Sequence, residues 1–223
     1  MYDFDRIAKN YDRLNRMMTL GIDRRWRRRM VEAIVEAEQP QRLLDVATGT
    51  GDVALSILEE THGETLLTGI DLSEQMLTLA RQKLQGHPCE LLQADAEQLP
   101  FADGSFDCVS VAFGVRNFLH LEQGLKEMHR VLRSGGRLVI LELSYPDNPI
   151  LLALYKLYTL HLIPLLGQCV AGDKAAYRYL AQSILRFPKP DTFVPMLRCC
   201  GFGEVQCKSF TFGVCRMYVA FRP

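Results

Sequence analysis

The sequence of 223 residues has no excess of either charge, with 26 Lys and Arg against 26 Asp and Glu. Domains that hold a nucleic-acid backbone need a cation for each phosphate contact and are usually strongly basic, so this balance argues against such a partner. No Cys-x-x-Cys occurs among the seven cysteines (89, 108, 169, 199, 200, 207 and 215). Without zinc spacing or a disulfide framework, they are expected as free thiols in a reducing cytoplasm, with no metal site. No apolar run reaches the ~20 residues of a spanning helix. The nearest, Ile150 to Leu166, is broken by Lys156, His161 and Pro164. The opening MYDFDRIAKNYDRL has no apolar core segment and no small-residue cleavage site, so a secretory signal is not expected. What is abundant is ordinary: 48% hydrophobic and 23% charged residues exclude disorder and suit a folded domain.

Residues 1–36 read as helical, first with Ile7, Tyr11, Leu14, Met17 and Met18, then with Trp26, Met30, Ile34 and Val35 as the apolar side. The run Arg24-Arg25-Trp26-Arg27-Arg28-Arg29 is the one dense basic cluster. It serves as a solvated helix face or as an attraction for anionic lipid headgroups. From residue 42 strands and helices alternate. Strands are expected at 42–47, 66–71, 90–95, 106–114 and 137–143, with helices at 53–60, from an N-cap at Ser73 to Leu84, and at 121–132, where Ser134-Gly135-Gly136 stops the chain. Continuous apolar strands alternating with helices indicate a parallel sheet covered on both faces. Residues 146–185 break this rhythm, a helix follows at 191–200, and strands at 204–210 and 214–221 close the chain as an antiparallel pair.

The richest segment is Asp45-Val46-Ala47-Thr48-Gly49-Thr50-Gly51-Asp52, between a strand and a helix. Glycines there let the backbone turn sharply and approach a ligand. Asp71 ends the next strand, where an acid can accept from both ribose hydroxyls. Asp95-Ala96 ends the third, where an acid can meet an adenine amino group. A nicotinamide dinucleotide would place a diphosphate at the helix N-terminus. The carboxylate of Asp52 would repel it and suits a ligand carrying a cation. A phosphate-binding P-loop is excluded, because no Gly-Lys-Ser/Thr follows.

These residues resemble the class I S-adenosylmethionine-dependent methyltransferases, over 42–145 and 190–221. Ala47 stands where their loop usually has its first glycine. Three further segments resemble one family, the C-methyltransferases of ubiquinone and menaquinone biosynthesis. They are Phe4-Asp5-Arg6-Ile7-Ala8 through Asn15 with Trp26, Ala112-Phe113-Gly114-Val115-Arg116-Asn117, and Arg130 to Arg137 continuing to Glu142-Leu143-Ser144. Tyr179-Leu180, Ser183-Ile184 and Phe187-Pro188 also match. Thr19, Asp23, Ala112 and Ser134 depart from the family's usual serine, histidine, serine and proline.

The resemblance implies an α/β, Rossmann-like class I methyltransferase fold. It has a mostly parallel seven-stranded sheet, a C-terminal antiparallel pair, N-terminal helices and a helical insertion after strand five. One domain would span 1–223, with 1–36 as a helical cap and 146–188 as an insertion over the substrate pocket. S-adenosyl-L-methionine would be held by Ala47, Gly49, Thr50, Asp71, Met76, Asp95 and Ala96. The substrate would be a prenylated quinol, demethylmenaquinol first and the ubiquinone-pathway benzoquinol second, with another small molecule as the remaining alternative. C-methylation requires positioning, a positive group beside the developing phenolate and exclusion of water. Arg116 and Asn117 are the candidates, with a loop salt bridge as the alternative for Arg116. Tyr11 and Asp12 are candidates for closing over the site, and simple helix packing is the alternative. His120 is a candidate base through water, beside the plainer reading as a helix-start histidine. The apolar segment 150–166 would line a groove for the prenyl tail, rest on the membrane surface, or form a homodimer interface or core helix. The expected location is the cytoplasm, with peripheral contact at the inner membrane face.

Overall fold

The computed structural model describes residues 11–36, 39–162 and 174–223. Its strands are β1 (Arg42–Val46), β2 (Leu66–Asp71), β3 (Cys89–Gln93), β4 (Phe106–Ala112), β5 (Leu132–Leu143), β6 (Val205–Phe210) and β7 (Cys215–Phe221). They form one seven-stranded sheet in the order β3-β2-β1-β4-β5-β7-β6. The first five strands are mutually parallel, and β7 runs antiparallel to both β5 and β6. The helices are α1 (Tyr11–Met18), α2 (Asp23–Val35), α3 (Asp52–Glu60), α4 (Glu74–Lys83), α5 (Leu121–Val131), α6 (Pro149–Leu157), α7 (Lys174–Arg186) and α8 (Pro190–Cys199). Residues 1–10 of the expected N-terminal helix and residues 163–173 of the expected insertion lie outside the described residues.

The apolar strands bury side chains on both faces. Leu44, Val46, Val109, Val111 and Ile140 pack with Leu125 and Met128 of α5 and Phe193 and Leu197 of α8. Their neighbours Leu43, Cys108, Val139 and Leu141 face the other way, against Trp26, Met30 and Ile34 of α2 and Ile57 and Leu58 of α3. The alternation follows from the two-residue period of a strand. Each large side chain so buried is worth about 1.5–3 kcal/mol. Thus α2 is part of the main core. Its last turn is held by Arg137, whose Nη2 donates to the Ile34 carbonyl. Ser73 caps α4, its hydroxyl accepting from the Met76 N–H at 3.1 Å.

Three strands differ from the sequence reading by two residues or more, and the first is β3, which ends at Gln93 and not at Asp95. β4 ends at Ala112, because Phe113 takes a left-handed conformation with φ 57°. β5 begins at Leu132 and runs through Ser134-Gly135-Gly136, which read as punctuation. Leu132 pairs with Phe106 and Arg137 with Cys108, so residues 133–136 bulge out opposite Asp107 alone. Gly135 has φ 73°, and a Cβ on Gly136 would lie 2.9 Å from the Asp107 carbonyl oxygen. The glycines therefore build a bulge inside the strand.

Candidate active site

Strand order reverses between β1 and β4, so the chain leaves these adjacent strands in opposite directions. A crevice opens at their carboxyl ends, where open α/β sheets bind ligands. The loop from β1 to α3 lies on one side of it. Positive φ recurs at every second residue, 53° at Ala47, 57° at Gly49 and 84° at Gly51. Such alternation turns backbone N–H groups into a concavity. Asp71, at the end of β2, secures the loop: its Oδ2 accepts from the Gly49 N–H and its Oδ1 from the Ser73 N–H, both at 2.9 Å. Ala47 carries a Cβ in a conformation that favours glycine. Its methyl has room because residue 114 is glycine; a Cβ there would lie 2.7 Å from it.

Beneath the loop lies Asp45, buried in β1. Its carboxylate accepts from Thr48 Oγ1 at 2.7 Å and Ser110 Oγ at 2.6 Å. Burial pushes its pKa up to about 6, and the two hydroxyl bonds oppose that rise. A cleft of about 40 Å³ opens beside it, lined by Asp12, Arg27, Asp45, Thr48, Thr50 and Phe113 among others.

Charged side chains bridge this cleft. Thr50 Oγ1 donates to Asp12 Oδ1 at 2.7 Å, and Lys83 Nζ donates to Asp12 Oδ2 at 2.8 Å and Thr50 Oγ1 at 2.9 Å. Lys83 and Arg27 both pair with Asp52. Burial works against ionising Asp52, but the Lys83 bond and the Arg27 charge outweigh it and hold its pKa below the usual carboxylate range. This corrects the reading of Asp52 as a partner for a cationic ligand: two cations of the chain already neutralise it.

The other side of the crevice follows β4. A turn at Val115–Asn117 carries Arg116 and Asn117. Arg116 Nη1 pairs with Glu142 Oε1 at 2.6 Å, and the Arg116 N–H donates to Glu142 Oε2 at 3.1 Å. The two side chains are 4% and 0% exposed. The Arg116 charge is therefore compensated inside the chain, the salt bridge that stood as its alternative reading. Tyr179 of α7 donates to Asn117 Oδ1 at 3.1 Å. Arg116, Asn117, Phe118, Leu121, Tyr179 and Phe187 help line a cavity of about 380 Å³, within the ligand-pocket range of about 300–1,000 Å³.

The structure thus brings Ala47, Gly49, Thr50, Asp71 and Asp12 around one loop, and Arg116 and Asn117 around the cavity. Met76 is buried in the first turn of α4. Ala96 is buried, and the exposed Asp95 bonds the Glu97 N–H at 2.9 Å just past β3. The Tyr11 side chain lies outside the described residues. His120 is the exposed N-cap residue of α5 and does not line the cavity among the described residues. Sequence reasoning did not single out Asp45, Arg27, Lys83, Glu142 or Tyr179 as site residues. An acid inside the run Leu43-Leu44-Asp45-Val46 was the available signal for the first. The others act through partners too distant in sequence to pair by inspection. Among the described residues no group of three or more His, Cys, Asp or Glu is placed to hold a metal ion.

Several solved structures that share this architecture are named as methyltransferases. A chain of the complex between the Haloferax volcanii Trm112 methyltransferase activator and a putative methyltransferase superposes with a TM-score of 0.71 at 18% identity, covering 100% of this chain and 99% of that one. A Haemonchus contortus phosphoethanolamine N-methyltransferase in complex with S-adenosyl-L-methionine gives 0.66 at 14% identity, covering 88% of this chain and 52% of that one. At such identities the likeness is one of fold. Sequence likeness is stronger. The demethylmenaquinone methyltransferase of Thermus thermophilus is 44% identical over 99% of this chain and 100% of its own. The ubiquinone/menaquinone biosynthesis C-methyltransferase UbiE of Geotalea uraniireducens is 44% identical over 97% of this chain and 93% of its own. The model of one family matches residues 2–222. The chain belongs to the ubiE/COQ5 methyltransferase family.

Proposed function

We propose that the chain is an S-adenosyl-L-methionine-dependent C-methyltransferase that converts demethylmenaquinol to menaquinol. The observation that carries this is the near full-length likeness to enzymes named for that substrate. The geometry supports a division of labour across the crevice. S-adenosyl-L-methionine, when bound, supplies an electrophilic methyl group on a sulfonium. The residues present suit it: a concave loop, an acid at the end of β2 and a small polar cleft. Asp71 and Asp95 mark the edge for the nucleoside, and Ala47, Gly49 and Thr50 take the amino-acid end beside Asp45. Met76 of α4 and Ala96, in the segment after β3, back this site. Asp12 of α1 covers it, latched to Thr50 and Lys83.

On the other side, Phe118, Leu121 and Phe187 exclude water from the ring. Arg116, oriented by Glu142, and Asn117, oriented by Tyr179, face the ring hydroxyl and stabilise its ionised form. That ionisation makes the neighbouring carbon nucleophilic. The reaction runs on the cytoplasmic side, where a prenylated quinol presents its head.

A second reading is the corresponding methylation of the ubiquinone-pathway benzoquinol, favoured by relatives whose name covers both quinones. Mass spectrometry of lipid quinones from a strain lacking the chain separates the two. Accumulated demethylmenaquinone supports the first, and an accumulated demethylated benzoquinone supports the second. An unchanged quinone profile defeats both.

A further inference from the structure

Helix α6 is one of the most apolar stretches of the chain, yet none of its residues is buried. Ile150, Leu154 and Leu157, spaced to share one helical face, are all exposed. The helix is well founded: Asn148 caps it, accepting from the N–H groups of Ile150 and Leu151 at 3.0 and 3.2 Å, with Pro149 in the first turn. Other segments bring more exposed apolar side chains to the same edge. Leu20, 84% exposed, and Ile22 lie in the turn between α1 and α2. Phe212, 81% exposed, lies in the turn between β6 and β7. Leu20 and Phe212 both have positive φ, a conformation that disfavours any residue with a Cβ.

Contacts join these segments. Tyr158, following α6, donates to the Met18 carbonyl at 2.7 Å. Trp26 Nε1 donates to Thr211 Oγ1 at 3.0 Å. Gly213 packs against Tyr145 and Pro146, just before α6. Cations border this edge. Arg24, Arg25 and Arg28 of α2 are exposed, as is Lys156. No ion pair among the described residues engages these three arginines, whereas Arg27 and Arg29 pair with Asp52 and Glu32. The nearby Asp147 pairs with Arg216.

We propose that α6, the turn 19–22 and the turn 211–213 form a docking surface for an anionic lipid bilayer. The proposal rests on the function above only for why the enzyme visits a membrane. Its apolar side chains enter the headgroup–acyl boundary while the arginines meet lipid phosphates. Among the described residues no helix is long and apolar enough to cross, so the contact is peripheral. A second copy of the chain would bring the same unpaired arginines to the rim. Anionic headgroups supply the charge that is lacking.

The test is co-sedimentation of the full chain with vesicles of phosphatidylglycerol in phosphatidylcholine, against phosphatidylcholine alone. Binding is expected to the first, weakening with salt. Partition should fall about five-fold for each arginine lost in Arg24→Gln/Arg25→Gln. It should fall at least about ten-fold in Leu154→Glu/Leu157→Glu and visibly in Phe212→Asp, which tolerates the left-handed backbone. Unfolding temperature and turnover of a tail-less quinol should match the native chain in all three. Native binding that ignores phosphatidylglycerol, or variants that bind as well as the native chain, would overturn the proposal. So would a dimer that Leu154→Glu/Leu157→Glu splits without any vesicle binding. Failure of the native chain to methylate the tail-less quinol would instead defeat the proposed function and leave the vesicle result standing.

Discussion

Asp45 is an acid sealed into a strand of leucines and valines, and its proton is held more tightly in the folded chain than in the unfolded one. Its pKa rises from 3.8 to about 6, through burial first. The stability it contributes is therefore complete below about pH 4 and is lost as pH rises through 6, amounting to about 3 kcal/mol. In Asp45→Asn that loss should vanish, leaving urea-unfolding stability flatter between pH 4 and 7; parallel profiles would refute the assignment. Arg116 poses the opposite problem. Removing it strands a buried Glu142 carboxylate, which costs about 3–5 kcal/mol. Arg116→Ala should therefore lower both turnover and unfolding temperature. Adding Glu142→Gln should restore the temperature but not the turnover, while the affinity for S-adenosyl-L-methionine stays near native throughout. Recovery of turnover in the double variant would remove Arg116 from the chemistry. Asn117 and Arg116 were readable as a motif; the partner at Glu142 was not, because helix α5 and most of β5 intervene.

At the scale of the element, the β1–α3 loop and the turn after β4 are fitted to each other. The Ala47 methyl occupies the space that Gly114 leaves. Gly114→Ala should destabilise the fold by about 1–3 kcal/mol through overpacking. Ala47→Gly in the same chain should recover much of that, a coupling measurable by a double-mutant cycle. Additive effects would mean that the two turns do not touch. The latch on α1 makes a second prediction. Lys83→Met removes the cation that joins Asp12, Thr50 and Asp52. Amide exchange across Tyr11–Met18 should accelerate, and the dissociation constant for S-adenosyl-L-methionine should rise by roughly ten-fold, as for a lost charged hydrogen bond. Unchanged exchange would show that α1 is held by other contacts. Elements with strong local signals were readable almost to the residue: Leu66–Asp71 as a strand, and Ser73 as a cap. The start of β5 was not, because Gly135 and Gly136 break a helix and build a bulge equally well, and only the distant Asp107 decides which.

The whole molecule is a sheet with two covered faces, and its thiols report on that covering. Cys108 is buried in β4, where burial pushes its thiol up to about 12. Burial likewise holds the Cys215 thiol of β7 well above its ordinary value. Both should stay unlabelled by iodoacetamide in the native chain, whereas the exposed Cys199 should react first among the described cysteines; peptide mass spectrometry of early labelling at Cys108 would show that the sheet opens. The parallel sheet and its closing antiparallel pair followed from apolar strands in alternation with helices. The exposed edge made by α6, Leu20 and Phe212 did not, since it joins turns that are remote in the chain.

The reversal of strand order between β1 and β4 has an evolutionary consequence. Residues that secure the proposed donor loop come from β1, β2 and the helices beside them, while the proposed acceptor cavity is lined from the turn after β4, the start of α5, and α7 with the two residues after it. The two inventories share almost no side chains. Donor recognition can therefore be inherited intact while the cavity is rebuilt, so a chimera exchanging residues 115–121 and 179–188 between relatives should carry its acceptor preference with the transplanted segments.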